Sequence, residues 1–275
     1  MNDIKARMKS VTGTMQITKA MELVANSKLR RAKEKVENAR PFYEAMRKAI
    51  ATLEGSKEIA SPFVKSKDGG KTLFIVIAGD RGLAGGYNSS VFKLAERLSD
   101  GKETVFLPIG KKAFEYFKHR NRETFISSQA LASDTGVGSC LALSEAIVEA
   151  FLKGEISSVK LVYTKFVSMI SQLPVYEDVL PLDFSKEDGI NSDPIIEEEA
   201  DEMLLKIVPQ YVGGLIFSAI CESLASEHGA RRSAMNAANK NAEEMLDTLM
   251  LKFNRARQAI ITQEITEIVS GADAL

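Results

Sequence analysis

The residues best placed to do chemistry are Gly79-Asp80-Arg81-Gly82-Leu83-Ala84-Gly85-Gly86-Tyr87-Asn88, a glycine-rich stretch between an apolar run and a helix-forming one. A strand-to-helix turn of this kind is where a phosphate would meet unpaired backbone N–H groups. The spacing fits neither G-x-G-x-x-G nor a P-loop, which needs Lys-Ser/Thr at the helix start. The plainer reading is a tight turn that needs positive φ at some of its glycines. Gly136-Val137-Gly138 has no third glycine and reads as a helix-entry turn. The two histidines, His119 and His228, lie in helix-forming stretches with no cysteine or carboxylate cluster at metal-ligand spacing. Ser226-Glu227-His228 are consecutive on a helix, so their side chains point in different directions. Glu197-Glu198-Glu199 suits a helix start, where the dipole favours acids. No nucleophile elbow or paired acid/base signature is found. The residues therefore predict no catalytic, metal-binding or cofactor-binding set on this chain.

The elements that would position such residues are unusual. From Pro209 to Gly271 no further proline occurs, and most residues are strong helix formers. Apolar side chains return at coiled-coil spacing at Ala242, Leu246, Leu249, Phe253, Ala256 and Ile260. One helix of this length would run roughly 90 Å, against roughly 50 Å for a compact globule of the whole chain. It must project, and its apolar stripe needs a partner. The other end of the chain supplies one. Residues 3–54 carry a 3/4 alternation through Ile4, Met8, Val11, Met15, Thr18, Glu22, Ala25, Leu29, Ala32, Val36, Ala39, Tyr43, Met46, Ile50 and Leu53. Only Thr18 and Glu22 break the apolar rule. Asp3 is the expected N-cap. Pro41 is expected to kink or fray the pattern, and Gly55 and Pro62 to end it.

Between these ends the chain alternates strand and helix patterns. Strands are predicted at 72–78, 103–109, 123–127, 159–166 and 172–182, and helices at 89–99, 111–119 and 141–153. This pattern implies an α/β domain over 71–183 with a largely parallel sheet. A loop is expected at 65–71. An acidic segment and a short helix over 195–208 follow, with Pro209 separating that helix from the long one. The fold class is α/β plus a long antiparallel α-helical coiled coil. Its parts are an N-terminal helix over 1–58, the globular domain over 71–183, and C-terminal helices over 195–275.

Net charge is −1, but residues 1–50 hold twelve Lys/Arg against five Asp/Glu, and 183–202 hold nine Asp/Glu against one Lys. Charge sorted this way suggests docking surfaces. Two cysteines, Cys140 and Cys221, without metal or redox spacing fit a reducing compartment. The N-terminus lacks a signal-peptide core, and no apolar run is expected to reach the ~18 residues that span a bilayer. Any membrane association is expected through a partner. Lys28-Leu29-Arg30-Arg31-Ala32-Lys33 is basic enough to bind nucleic acid, but acids return at Glu34 and Glu37 and no aromatic precedes Phe42. A protein partner with acidic loops explains the same charges. A nucleotide-dependent enzyme, a nucleic-acid binder and a mechanical subunit all remain open at this level.

Specific motifs narrow the choice. Residues 17–32, Ile-Thr-Lys-Ala-Met-Glu-Leu-Val-Ala-Asn-Ser-Lys-Leu-Arg-Arg-Ala, closely resemble the N-terminal helix of the F-type ATP synthase gamma subunit family. Gly82-Leu83-Ala84-Gly85-Gly86-Tyr87-Asn88 resembles that family's GLCGGLN element, with Ala84 for Cys and Tyr87 for Leu. Residues 226–235 and 257–272 resemble its C-terminal helix and signature. The resemblance covers the whole chain in order and implies a bacterial-type central-stalk rotor without thiol control. It implies that the coiled coil enters a ring of three alpha and three beta subunits. The other end, with the epsilon subunit, rests on a membrane ring of c subunits. Proton flow turns ring and shaft, driving ATP synthesis at sites on the partners, so the chain is not an enzyme by itself. The resemblance places Arg257, Gln258, Thr262 and Glu264 at a beta-subunit loop, and Lys19 and Met21 near the beta-subunit lever. Ile260, Ile261, Ile265, Ile268, Val269 and Leu275 form an apolar tip suited to a greased bearing. Asp193 is the expected c-ring foot, since residues 189–194 lack the tyrosines of relatives. No cofactor and no nucleic acid are implied. Membrane contact is expected only through the c-ring, at the cytoplasmic face of a bacterial plasma membrane.

Overall fold

A computed structural model of the chain describes residues 1–54, 61–64, 69–126, 130–182 and 200–273. Its elements, in chain order, are α1 (Asn2–Glu54), β1 (Lys71–Ile77), α2 (Tyr87–Ser99), β2 (Thr104–Ile109), α3 (Lys111–His119), α4 (Val137–Lys153), β3 (Ile156–Phe166), β4 (Gln172–Leu180) and α5 (Ala200–Asp273). The contacts resolve into two compact units: Met1–Ala25 with Arg231–Leu275, and Asn26–Ala230.

The larger unit is built on a four-stranded sheet in the order β2-β1-β3-β4. β1 pairs parallel with β2 and β3, and β4 closes the sheet antiparallel to β3. Side chains alternate across β1 and both faces are covered, which is why its sequence is apolar from Leu73 to Ile77. Leu73, Ile75 and Ile77 enter a core with Ile147 and Phe151 of α4 and Val212, Ile216 and Ile220 of α5. Phe74, Val76 and Ala78 face the opposite way, into a core with Val91 and Ala95 of α2 and Ala113 and Phe117 of α3. In that second core Phe106 stacks on Phe117 at 4.3 Å between ring centroids. The sheet is thus covered by helices on both faces. Leu29 and Ala32 of α1 pack in the same unit against Ala225 of α5.

Several expectations need correction. Pro209 does not separate two helices; it lies inside α5, which is continuous from Ala200. An internal proline costs about 3 kcal/mol. Leu204, Val208, Val212 and Ile216 on either side of it are fully buried in one core, and each such side chain contributes roughly 1.5–3 kcal/mol. Burial therefore outweighs the lost hydrogen bond. Pro41 likewise lies inside α1. Of the strand expected at 123–127, Thr124 makes only an isolated bridge, with Phe106, and residue 127 lies outside the described residues; a separate bridge joins Ile109 to Ala130. α4 begins at Val137 rather than at residue 141, with Gly136 as its N-cap residue. Asp3 is not the N-cap but sits in the first turn of α1, where its charge still opposes the helix dipole. Contrary to expectation, α5 holds an 18-residue window of mean hydropathy 1.6, long and apolar enough to cross a bilayer, half of it buried in the protein. The apolar residues around Val212–Ile220 are those that line the sheet core. Residues 65–68 of the expected loop lie outside the described residues.

Both cysteines are free and buried. Burial pushes the Cys140 thiol up to about 12, with the nearby Cys221 adding to it, and the Cys221 thiol up to about 11. A thiol whose folded pKa is raised favours folding fully below its unfolded value, near 9, and loses that contribution as pH climbs towards 11 and 12. Ellman's reagent should therefore label neither cysteine of the folded chain at pH 8 and both after denaturation, and stability should fall above pH 9.

Candidate functional site

Asp80, just after β1, uses its carboxylate to tie the glycine-rich turn to the start of α3 and to residues 132 and 133. Its Oδ1 accepts from the Lys111 N–H at the start of α3 at 3.0 Å and from the Ala132 N–H at 3.1 Å. Its Oδ2 accepts from the Ser133 N–H at 3.0 Å. Asn88 Oδ1 accepts from the Gly79 N–H at 2.9 Å, closing the turn. Gly85 takes φ 57°, as a tight turn requires, while Leu83 takes φ 61° without being glycine. Gly79 is needed for close approach, because a Cβ there would lie 2.8 Å from Cδ of the buried Glu227. The Tyr87 hydroxyl donates to the Ser223 carbonyl at 3.0 Å. Ser226 donates to the Thr164 carbonyl at 3.1 Å, so its hydroxyl serves the end of β3 rather than a relay with His228. The loop joins sheet and α5.

A cleft of about 280 Å³ lies in the same unit between α1, β3, β4 and α5. It mixes Arg40, Arg47 and Lys165 with Glu44, Glu177 and Glu222. Burial raises the Glu222 carboxyl above its ordinary value, opposed by a backbone hydrogen bond from Phe166. Among the described residues no group of three or more His, Cys, Asp or Glu could hold a metal ion.

The smaller unit carries the residues that motif matching singled out. Lys5 lies over the Phe253 ring, with Nζ 5.5 Å from its centroid. Thr18 donates to Asn239 Oδ1. Asn239 Nδ2 donates to Glu22 Oε2 at 2.9 Å, and Asn236 Nδ2 to Glu22 Oε1 at 3.3 Å. As α1 climbs from residue 5 to 22, α5 descends from 253 to 236, so here the helices run antiparallel and in step. Ile4, Met8, Val11, Met15 and Thr18 are each less exposed than most of their neighbours, as are Ala242, Leu246, Leu249, Phe253 and Ala256.

The pattern then stops. The same step puts Met1 opposite about Arg257, so α5 runs on without α1 beside it. Every residue from Arg257 to Ser270 is exposed. Ile260, expected in the seam, is 38% exposed for this reason. Ile261, Ile265, Ile268 and Val269 are exposed too, Ile268 at 72%. Arg257, Gln258, Thr262 and Glu264 stand on the same bare segment, and the Thr262 hydroxyl turns back to the Gln258 carbonyl at 2.9 Å. Lys19 is exposed and Met21 half-buried. At 1.5 Å per residue this pair lies roughly 27 Å along α1 from Met1, so the two expected contact groups form separate patches. Ile17, Leu23 and Val24 add exposed apolar surface beside the first patch, and Met250 and Leu251 on α5 do the same. Leu275 and Asp193 lie outside the described residues. Sequence reasoning missed Asn236 and Asn239; the polar Thr18 and Glu22 at seam positions were the available signal.

Exposed apolar side chains on paired and then unpaired helix define a subunit of an assembly, whose surfaces require partners. The comparisons agree. A family model described as ATP synthase matches residues 1–275. The ATP synthase gamma chain of Ruminococcus albus is 44% identical over 99% of this chain and 97% of its own length. The sodium ion specific ATP synthase gamma chain of Acetobacterium woodii is 40% identical over 99% and 98%. Among solved structures, the central stalk and c-ring of the Tetrahymena thermophila mitochondrial ATP synthase aligns at TM-score 0.60 and 25% identity, covering 81% of this chain and 99% of that one. A chain of the Euglena gracilis enzyme in rotational state 3 has the same fold at TM-score 0.72 and 17% identity, covering 99% and 93%. The chain belongs to the ATP synthase gamma chain family.

The Asp80 network gives a direct check. Asp80→Ala would leave three N–H groups to water and should lower unfolding stability by about 2 kcal/mol, measured by urea denaturation.

Proposed function

We propose that this chain is the rotor of the central stalk in a bacterial F-type ATP synthase. It couples ion-driven rotation of the c-ring to conformational cycling of the catalytic head. Family membership supports this reading, but the observation that carries it is the end of α5. A helix that outruns its partner and leaves isoleucines at 260, 261, 265 and 268 in water is unfavourable alone. Inside a ring of alpha and beta subunits it becomes a bearing, with apolar contacts that have no directional hydrogen bonds to break as it turns.

In this reading α1 and α5 supply one antiparallel coiled coil, with Pro209 inside its long C-terminal helix. The 71–183 segment is a Rossmann-like domain. Arg257, Gln258, Thr262 and Glu264 meet a beta-subunit loop, and Lys19 and Met21 meet the beta-subunit lever. An asymmetric pair of helices presents a different face to each of three otherwise equal partners and so biases their conformations. The epsilon subunit and the c-ring hold the other end, with Asp193 at the ring. The similarity to stalks solved with c-rings supports those partners. The chain performs no catalysis itself, since nucleotides are handled on the alpha and beta subunits. Membrane association is peripheral, through the c-ring, at the cytoplasmic face. Protons are the assigned coupling ion; because the Acetobacterium woodii relative is named sodium ion specific, sodium-dependent ATP hydrolysis by the assembled complex would reverse that assignment. A nucleotide-binding enzyme is disfavoured by the glycine-rich turn's lack of either phosphate-binding spacing.

Adding the chain to alpha and beta subunits should raise ATPase activity well above that of the mixture without it; equal activity would reject the proposal. Met21→Lys, placing a second cation beside Lys19, should reduce proton pumping per ATP hydrolysed in the membrane-bound complex. An unchanged ratio would remove Met21 from the coupling contact.

A further inference from the structure

We infer that Thr18, Glu22, Asn236 and Asn239 form a polar lock that sets the axial register of α1 against α5, and with it the position of Lys19 and Met21 relative to the apolar tip. The inference rests on the pairing of the two helices and not on the rotor reading. Towards Met1 the seam is apolar and forgiving. Met8, Val11 and Met15 face Ala242, Leu246 and Leu249, residues that adapt to a displaced neighbour. A seam of that kind has near-equivalent packings one turn or one heptad away.

The polar layer does not. Asn239 is only 6% exposed, yet both ends of its amide are satisfied across the interface. Its oxygen accepts from Thr18 and its nitrogen donates to Glu22 at 2.9 Å. Glu22 is held on its second oxygen by Asn236 at 3.3 Å. The four residues sit at seam-compatible spacing on both helices, Thr18 and Glu22 four apart, Asn236 and Asn239 three apart. A one-heptad slide that brings Met8 to Ala242 would carry the Asn239 amide off Thr18 and Glu22 and place it against Val11 and Met15. A buried polar group left without a partner costs more than its hydrogen bond contributes when made. The lock therefore acts mainly against the wrong registers. Because Lys19 and Met21 flank it directly in sequence, register and the presentation of those side chains are fixed together.

The test is disulfide mapping in the full chain. Cys140 and Cys221 are buried, with thiols pushed up to about 12 and about 11, so they stay silent near neutral pH. Met8→Cys with Leu249→Cys reports the native register, and Met8→Cys with Ala242→Cys reports a one-heptad slip. With the lock intact only the first pair should close. In Glu22→Leu/Asn239→Leu, with helicity by circular dichroism unchanged, closure of the slipped pair should rise about tenfold, the factor expected for one or two buried hydrogen bonds. Thr18→Val, a milder change that keeps Glu22 and Asn239, should give a smaller rise, and Glu22→Gln, which keeps one acceptor oxygen and turns the other into a donor, should give an intermediate one. If the slipped pair stays at background in both the double variant and Thr18→Val, the register is set elsewhere and the proposal fails. It fails equally if Glu22→Gln slips as much as the double variant.

Discussion

Everything in this structure depends on α5 burying its apolar side chains against two different neighbours in succession. Up to about Ala225 they enter the sheet core and the contact with Leu29 and Ala32. From Met235 to Ala256 they lie along the first turns of α1. Beyond that α1 has ended and the helix has nothing of its own left to pack against. The change of partner is written in the sequence as a change of texture. Val212, Leu215, Ile216 and Ile220 are bulky and buried on a broad face, as a sheet demands. Ala242, Leu246, Leu249 and Phe253 form a narrow stripe, as a single helix demands.

The consequence is a division of labour. The sheet unit supplies stability, through two apolar cores on opposite faces of β1 and a glycine-rich turn closed by its own Asp80 and Asn88. The helical unit supplies surface, and its exposed Ile17, Leu23, Val24, Met250 and Leu251 are expensive in water. A protein whose chemistry lay in a pocket would place its perturbed groups together. Here Cys140, Cys221 and Glu222 are shifted chiefly by burial.

Much of this was legible in the residues. The 3/4 alternation from Ile4 to Ile50 marked α1 nearly to its observed ends, because amphipathic period is a strong signal over fifty residues. The continuous apolar run after Lys71 marked a strand buried on both faces. What local reading could not supply was tertiary compensation. Pro209 looked like a break because propensity counts its missing N–H and not the buried Leu204, Val208 and Val212 beside it. Thr124 looked like part of a strand, but it makes only an isolated bridge. Ile260 fitted the heptad, yet periodicity along one helix says nothing about where the opposing helix ends. Thr18 and Glu22 looked like flaws in the seam until Asn236 and Asn239 were seen opposite them.

The central claim is that this chain turns inside its partners. The direct measurement is single-molecule observation of a probe fixed to the sheet unit while the alpha and beta subunits are held on a surface and supplied with ATP. Continuous one-way rotation of the probe, stopping when ATP is withdrawn, is the predicted result. ATP hydrolysis by the immobilised complex with the probe stationary would contradict the account.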